Sequence, residues 1–129
     1  MELPITSALA GAAAIFLVLL SFPVANHRRA RGVSFGDGGD EKLTRLIRAQ
    51  ANFVEYAPLA IVAIGLVEMG GASPLLVCGL AAALAAGRLL HAFGLLANML
   101  VGRALGTVLT FAVLLVAGGL LLAGQLGLG

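Results

Sequence analysis

Two stretches of this 129-residue chain, Ile5 to Ala25 and Ala104 to Leu126, carry no charged residue over a length that matches a lipid bilayer. A bilayer core about 30 Å thick is crossed by roughly 20 apolar helical residues. Within it every backbone N–H and C=O must find its partner inside the chain, which leaves helices or closed barrels. Continuous apolar runs of this length, without alternation, select helices. Two further spans lie between them. They are separated by Gly70-Gly71-Ala72-Ser73-Pro74, which reads as a turn with Ser73 as N-cap and Pro74 at the first helical position. The spans are placed at 5–25, 43–69, 74–99 and 104–126, with Pro23 marking the end of the first and a polar loop over 26–42. Short connections make neighbours antiparallel. The expected fold is therefore all-α and integral to a membrane: a single four-helix transmembrane domain, residues 1–129, in an antiparallel bundle.

Composition supports this and excludes other classes. Hydrophobic residues make up 60% of the chain and charged residues 11%, against about 45–50% and about 25% in soluble domains. The charges are also bunched: nine of the fourteen lie between Arg28 and Arg48. A soluble enzyme, a disordered tail and a nucleic-acid module are all excluded. The single cysteine, Cys78, rules out an internal disulfide framework, and no metal site is expected because no second His or Cys stands at ligand spacing. Glu2, rather than Lys or Arg, precedes the first span and no A-x-A site follows it, so the span reads as a retained helix and not a signal peptide. Arg28, Arg29, Arg31, Lys42 and Arg45 fall between spans one and two, and Arg103 between spans three and four. By the positive-inside rule these loops are cytoplasmic and both termini lie outside. Gly32 to Asp40 reads as a flexible connection, since no P-loop lysine is in place and no strand precedes it. His27 is expected in that loop without a chemical role, and Glu68 is expected to be solvated near the outer surface.

The second span holds the informative residues. Arg45, Arg48, Asn52, Glu55, Tyr56 and Leu59 share one helix face at about 100° per residue, while Leu46, Phe53, Val54, Ala57 and Ile61 occupy the other. With a rise of about 1.5 Å per residue from Leu43, Arg48 lies about 8 Å deep, Asn52 about 14 Å and Glu55 about 18 Å. A carboxylate at that depth costs about 3 kcal/mol or more and needs a cationic partner. The third span returns toward the same surface and puts Arg88 about 16 Å deep and His91 about 12 Å. A Glu55–Arg88 pair is the expected compensation. Arg103 stands above them at the membrane surface. Arg48, Arg88 and Arg103, with Arg45 at the rim and Asn52, Glu55 and Tyr56 orienting, would form a cationic cleft open to the cytoplasm. Its arginine forks suit carboxylates, and the spare glutamate suits an ammonium. The implied ligand is a polar anion with more than one carboxylate and an amine. A second, lipophilic ligand would enter from the bilayer. Gly102-x-x-x-Gly106 and the alanine run 81–86 permit close helix contact, within or between subunits.

The stretch Arg48-Ala49-Gln50-Ala51-Asn52-Phe53-Val54-Glu55-Tyr56-Ala57-Pro58 resembles the second-helix signature of the MAPEG family, the membrane-associated proteins in eicosanoid and glutathione metabolism. Gly87-Arg88-Leu89-Leu90-His91, Arg103 at the last helix and the four-span layout agree with it. The Gly36–Asp40 loop and short tail resemble the bacterial branch, implying a bacterial inner membrane. The resemblance implies a homotrimer that binds glutathione as co-substrate between subunits on the cytosolic side. It implies conjugation of the thiol to lipophilic electrophiles or reduction of lipid hydroperoxides. It assigns Arg48, Asn52, Glu55, Tyr56 and Arg88 to glutathione binding, and it places Arg103 near the arginine that stabilises the thiolate, with His91 as the second candidate for that role. The neighbouring cation would lower the thiol's ordinary value near 8.5. His91 and Leu95 stand where some members carry two tyrosines, which weakens the glutathione expectation. Two alternatives remain. One is a non-catalytic relative of the same fold that binds a lipid or a partner. The other is a small proton-coupled transporter using Glu55, although that class carries its carboxylate in the first helix, which here has none.

Overall fold

The computed structural model describes residues 2–127. It contains four helices: α1 Pro4–Arg31, α2 Glu41–Met69, α3 Pro74–Leu96 and α4 Leu100–Gln125. All four are long and apolar enough to cross a membrane. α2 and α3 form the centre of the bundle, with α1 packed on one side of them and α4 on the other.

The first helix continues past the expected end at residue 25. Pro23 lies inside it, although a proline removes one helical hydrogen bond. The stop is set at Gly32, whose φ of 66° is left-handed. Its N–H donates to the Arg29 carbonyl (3.4 Å), and the Val33 N–H donates to the Arg28 carbonyl (3.0 Å). This pair of bonds is the Schellman closure. Arg28, Arg29 and Arg31 consequently occupy the last turn, where cations complement the helix dipole. His27 is therefore helical rather than in a loop.

The connection to α2 is also more structured than the sequence suggests. Arg28 Nη1 donates to the Gly36 carbonyl at 2.7 Å, and Asp37 accepts from the Gly39 N–H at 3.0 Å and from the Thr44 hydroxyl at 2.7 Å. Asp40 is the N-cap of α2 and accepts from the Leu43 N–H at 2.9 Å. Its other oxygen accepts from His27 Nε2 at 3.0 Å and faces Arg31 Nε at 3.3 Å. One carboxylate thus ties the end of α1 to the start of α2. These contacts, the His27 bond foremost and then the Leu43 N–H, hold the Asp40 carboxyl down at about 2. A carboxyl lowered on folding stabilises the fold above its unfolded value and loses that contribution as pH falls through its folded value. The α1–α2 connection is therefore expected to loosen between about pH 4 and about pH 2. Amide exchange at Leu43 should accelerate in that window, and Asp40→Ala should show the fast exchange already at neutral pH.

At the opposite end the turn matches its sequence signals. Gly71 has φ 81°, Ser73 accepts from the Leu76 N–H at 3.4 Å, and α3 starts at Pro74. Glu68 departs from expectation. It is half-buried, and its carboxylate accepts from the N–H groups of Ile5 (3.1 Å) and Thr6 (2.8 Å). The N-terminus of α1 has no side-chain cap of its own. Glu68 supplies one across the bundle, where negative charge also suits the helix dipole.

Association of helices in lipid depends on close packing of small residues rather than on hydrophobic expulsion from water. α2 buries Ala49, Ala57, Ala60 and Ala63 against its neighbours. Toward the α2–α3 turn these residues join Ile64, Val77, Leu84 and Val113. Toward the α1–α2 connection they join Leu20, Phe53 and Ala92. α3 and α4 approach most closely, Gly87 and Gly94 facing Gly106 and Gly102. The Gly102–Gly106 pair thus works within the subunit. α3 ends at Leu96 and α4 already begins at Leu100, so Arg103 lies in the first turn of α4 rather than in a loop before it. Asn98, with φ 56°, makes this tight connection, a conformation asparagine tolerates better than other side chains.

Candidate functional site

The polar residues of α2 divide according to where they point. Asn52 turns toward α3 and α4. Its side-chain oxygen accepts from Arg88 Nη1 at 2.6 Å, and its backbone carbonyl lies 3.5 Å from the same nitrogen. Arg88 Nε donates to the Thr110 hydroxyl at 3.0 Å, and Nη2 donates to the Gly106 carbonyl at 3.3 Å. The Tyr56 ring lies 5.8 Å from the guanidinium carbon and packs on Phe111 at 5.6 Å. Arg88 is only 5% exposed.

The expected Glu55–Arg88 pair does not form: neutral oxygens take the guanidinium instead. Of the five N–H donors in its fixed fork, three meet Asn52, Thr110 and Gly106 from two neighbouring helices and a fourth is directed at the Asn52 carbonyl at 3.5 Å, so most of the guanidinium's donor capacity is used within the bundle. Glu55 points outward. It is exposed, and among the described residues it makes no ion pair.

Arg48 and Arg103 are likewise exposed, and neither side chain has a partner among the described residues. Arg45 leans on Glu41 at 3.7 Å, one turn away. His91 is buried beside them, its Nδ1 lying 3.1 Å from the Arg103 carbonyl and 3.1 Å from the Thr107 hydroxyl. The three guanidiniums of Arg48, Arg88 and Arg103 are all within electrostatic reach of its ring. The sequence-derived residues therefore converge on the α2–α4 side of the subunit. Asn52 and Arg88 form a buried bolt, Tyr56 packs beside it, and Arg48, Glu55 and Arg103 form an outward face rather than an enclosed cleft.

Two contributors were not singled out from the sequence. Thr110 receives Arg88 and donates to the Gly106 carbonyl at 2.8 Å, and Thr107 holds His91. Their signal was available as two hydroxyls three residues apart in a span otherwise almost wholly apolar. A separate apolar groove of about 350 Å³ lies on the opposite, α1 side of α2, lined by Phe16, Leu19, Phe53, Leu84 and Leu89 with the Arg88 stem. It faces away from Arg48, Glu55 and Arg103.

A bundle of four apolar helices with a cationic, outward-facing edge defines a small multi-span membrane protein. The chain belongs to the MAPEG family, whose model matches residues 6–123. It is 43% identical over 83 residues to the inner membrane protein YecN of Escherichia coli K12, and equally so to YecN of Escherichia coli O6:H1 strain CFT073. The match covers 63% of this chain and spans 62% of the relatives' length. No solved structure matches the chain.

Proposed function

We propose that this protein is a glutathione-dependent membrane enzyme that activates the thiol of glutathione and transfers it to lipophilic electrophiles, or uses it to reduce lipid hydroperoxides. The observation that carries this reading is the outward face formed by Arg48, Glu55 and Arg103. An uncovered carboxylate at the depth of Glu55 costs about 3 kcal/mol or more. A second copy packed on the α2–α4 side would shield Glu55 from lipid and turn an open edge into a cleft between subunits, in keeping with the homotrimer that the family implies. Two exposed arginines and one glutamate suit a ligand with two carboxylates and an ammonium, as glutathione has. Arg48, Glu55 and Tyr56 bind it, Asn52 and Arg88 support the wall, and Arg103 faces the sulfur. The basic edge points to the cytoplasm and both termini to the outside of a bacterial inner membrane. The electrophile reaches the thiol from lipid at the subunit boundary, since the α1-side groove faces the other way.

The direct test is calorimetric titration of the purified protein in nanodiscs with glutathione, for which saturable heat is expected. Conjugation of a model aryl halide should then fall about tenfold in Arg103→Ala, the loss that follows when a thiol's value rises by one unit, or about 1.4 kcal/mol. Unchanged turnover in that variant removes Arg103 from the mechanism. The engagement of most of Arg88's donors within the bundle and the presence of Leu95 favour a second reading, a non-catalytic relative that binds a lipid or a partner. Glutathione heat without turnover would select it.

A further inference from the structure

The contacts of His91 favour one tautomer over the other. A carbonyl oxygen only accepts, so the 3.1 Å contact between His91 Nδ1 and the Arg103 carbonyl places a proton on Nδ1. The Thr107 hydroxyl donates its own proton to that same carbonyl at 2.9 Å, which turns its lone pairs toward Nδ1, 3.1 Å away. The Arg103 carbonyl therefore favours the Nδ1–H form, and Thr107 accepts from it as long as its own proton stays on that carbonyl. In a neutral imidazole the other nitrogen is then a bare acceptor. Nε2 has no hydrogen-bond partner among the described residues. Among them only Thr6 Oγ1 is a side-chain polar atom both sealed and unpartnered, so Nε2 of the largely buried His91 is not fully sealed. The charged groups facing the ring are Arg48 from α2, Arg88 from α3 and Arg103 from α4.

We infer that Thr107, acting with the Arg103 carbonyl, is a positioning residue that holds His91 in the Nδ1–H form, so that Nε2 accepts the proton of the thiol co-substrate. This rests on the glutathione reading above. In the step, the S–H bond breaks and its proton passes to Nε2. The electron pair stays on sulfur as a thiolate facing Arg103, its negative charge offsetting the repulsion between the new imidazolium and the guanidiniums of Arg48, Arg88 and Arg103, and the imidazolium keeps its Nδ1–H on the Arg103 carbonyl. The thiolate then bonds to the electrophilic carbon, and the imidazolium returns its proton to the departing group or to water.

The test begins with the ligand-free full-length protein carrying ¹⁵N-histidine in nanodiscs. There are two histidines, so His27→Gln assigns His91. The nitrogen shifts are expected to show His91 as Nδ1–H, with Thr107→Val raising the Nε2–H population and Thr107→Ser restoring the original spectrum. An Nε2–H signal in the unmodified protein, or a Thr107→Val spectrum identical to it, overturns the positioning role whether or not glutathione binds. The second measurement is the ultraviolet absorbance of bound thiolate against pH. Thr107→Val should raise its midpoint by about one unit while calorimetric affinity for glutathione stays within about twofold. Superimposable pH profiles at equal affinity overturn the proton transfer. Absence of glutathione heat in the unmodified protein overturns the proposed function and the thiol as proton source, and it leaves the tautomer result standing by itself.

Discussion

Replacing Gly106 by alanine is expected to unfold or separate the α3–α4 pair, although alanine is the better helix former by about 1 kcal/mol. A Cβ built at Gly106 would lie 2.5 Å from the Gly87 carbonyl oxygen, 2.5 Å from the His91 backbone nitrogen and 2.7 Å from the His91 Cβ. Two of these three atoms belong to the backbone of α3, so no side-chain rotation relieves the clash and the helices must move apart. Overpacking costs about 1–3 kcal/mol and at times more. Here it also displaces the Gly106 carbonyl, which accepts from both Arg88 and Thr110. The net effect should be a loss of about 2–4 kcal/mol, the upper end of that range plus one lost buried bond, less the gain in helix propensity. The control is Gly119→Ala, also on α4, where nothing lies within 4 Å. It should be neutral or slightly stabilising. Thermal unfolding of both variants in nanodiscs checks the pair, and equal melting temperatures would show that the close crossing contributes nothing.

The four helices are legible in the sequence because long, predominantly apolar runs, two of them free of charge, leave the backbone little choice in lipid. The sequence is less informative about where helices stop. Pro23 reads as a terminus, yet membrane helices tolerate interior prolines where local adjustment re-satisfies the freed backbone group, and the Gly32 closure and the Asp40 carboxylate together settle the α1–α2 junction. Charge puts Arg103 at the opening of the fourth helix, and α4 begins three residues earlier, at Leu100, so that Arg103 closes its first turn. Helix periodicity places Arg45, Arg48, Asn52, Glu55, Tyr56 and Leu59 within one arc about 100° wide, and the structure divides that arc into an inward and an outward part. Periodicity does not indicate which cation meets which oxygen, since Asn52 and Glu55 are three residues apart and differ in bearing by about 60°. That difference decides that Asn52 meets Arg88 while Glu55 faces outward. Thr107 and Thr110 were overlooked because a hydroxyl in an apolar helix is easily satisfied by its own backbone. Both do bond their own helix, and both also serve a side chain on α3.

The Arg88 bolt leads to an asymmetric prediction. Asn52→Leu removes the oxygen that lies 2.6 Å from Arg88 Nη1 and leaves a buried guanidinium short of a partner. Losing a hydrogen bond to a buried charged group costs about 3 kcal/mol, more than the loss of a bond between neutral groups. Arg88→Met removes the charge itself. Thr110 keeps its bond to the Gly106 carbonyl, and the half-buried Asn52 side chain is the chief group left wanting. That loss should be about 1–3 kcal/mol, the usual cost of one unsatisfied polar group. When both are replaced, neither orphan remains and the volumes are roughly kept, so the double variant should be no worse than Asn52→Leu alone and can regain about 1–3 kcal/mol of it. Unfolding of the four members of this cycle in nanodiscs measures the coupling directly. Strict additivity would mean that the contact is incidental, and a larger loss in Arg88→Met than in Asn52→Leu would mean that the guanidinium's other partners, on α4, carry most of the interaction.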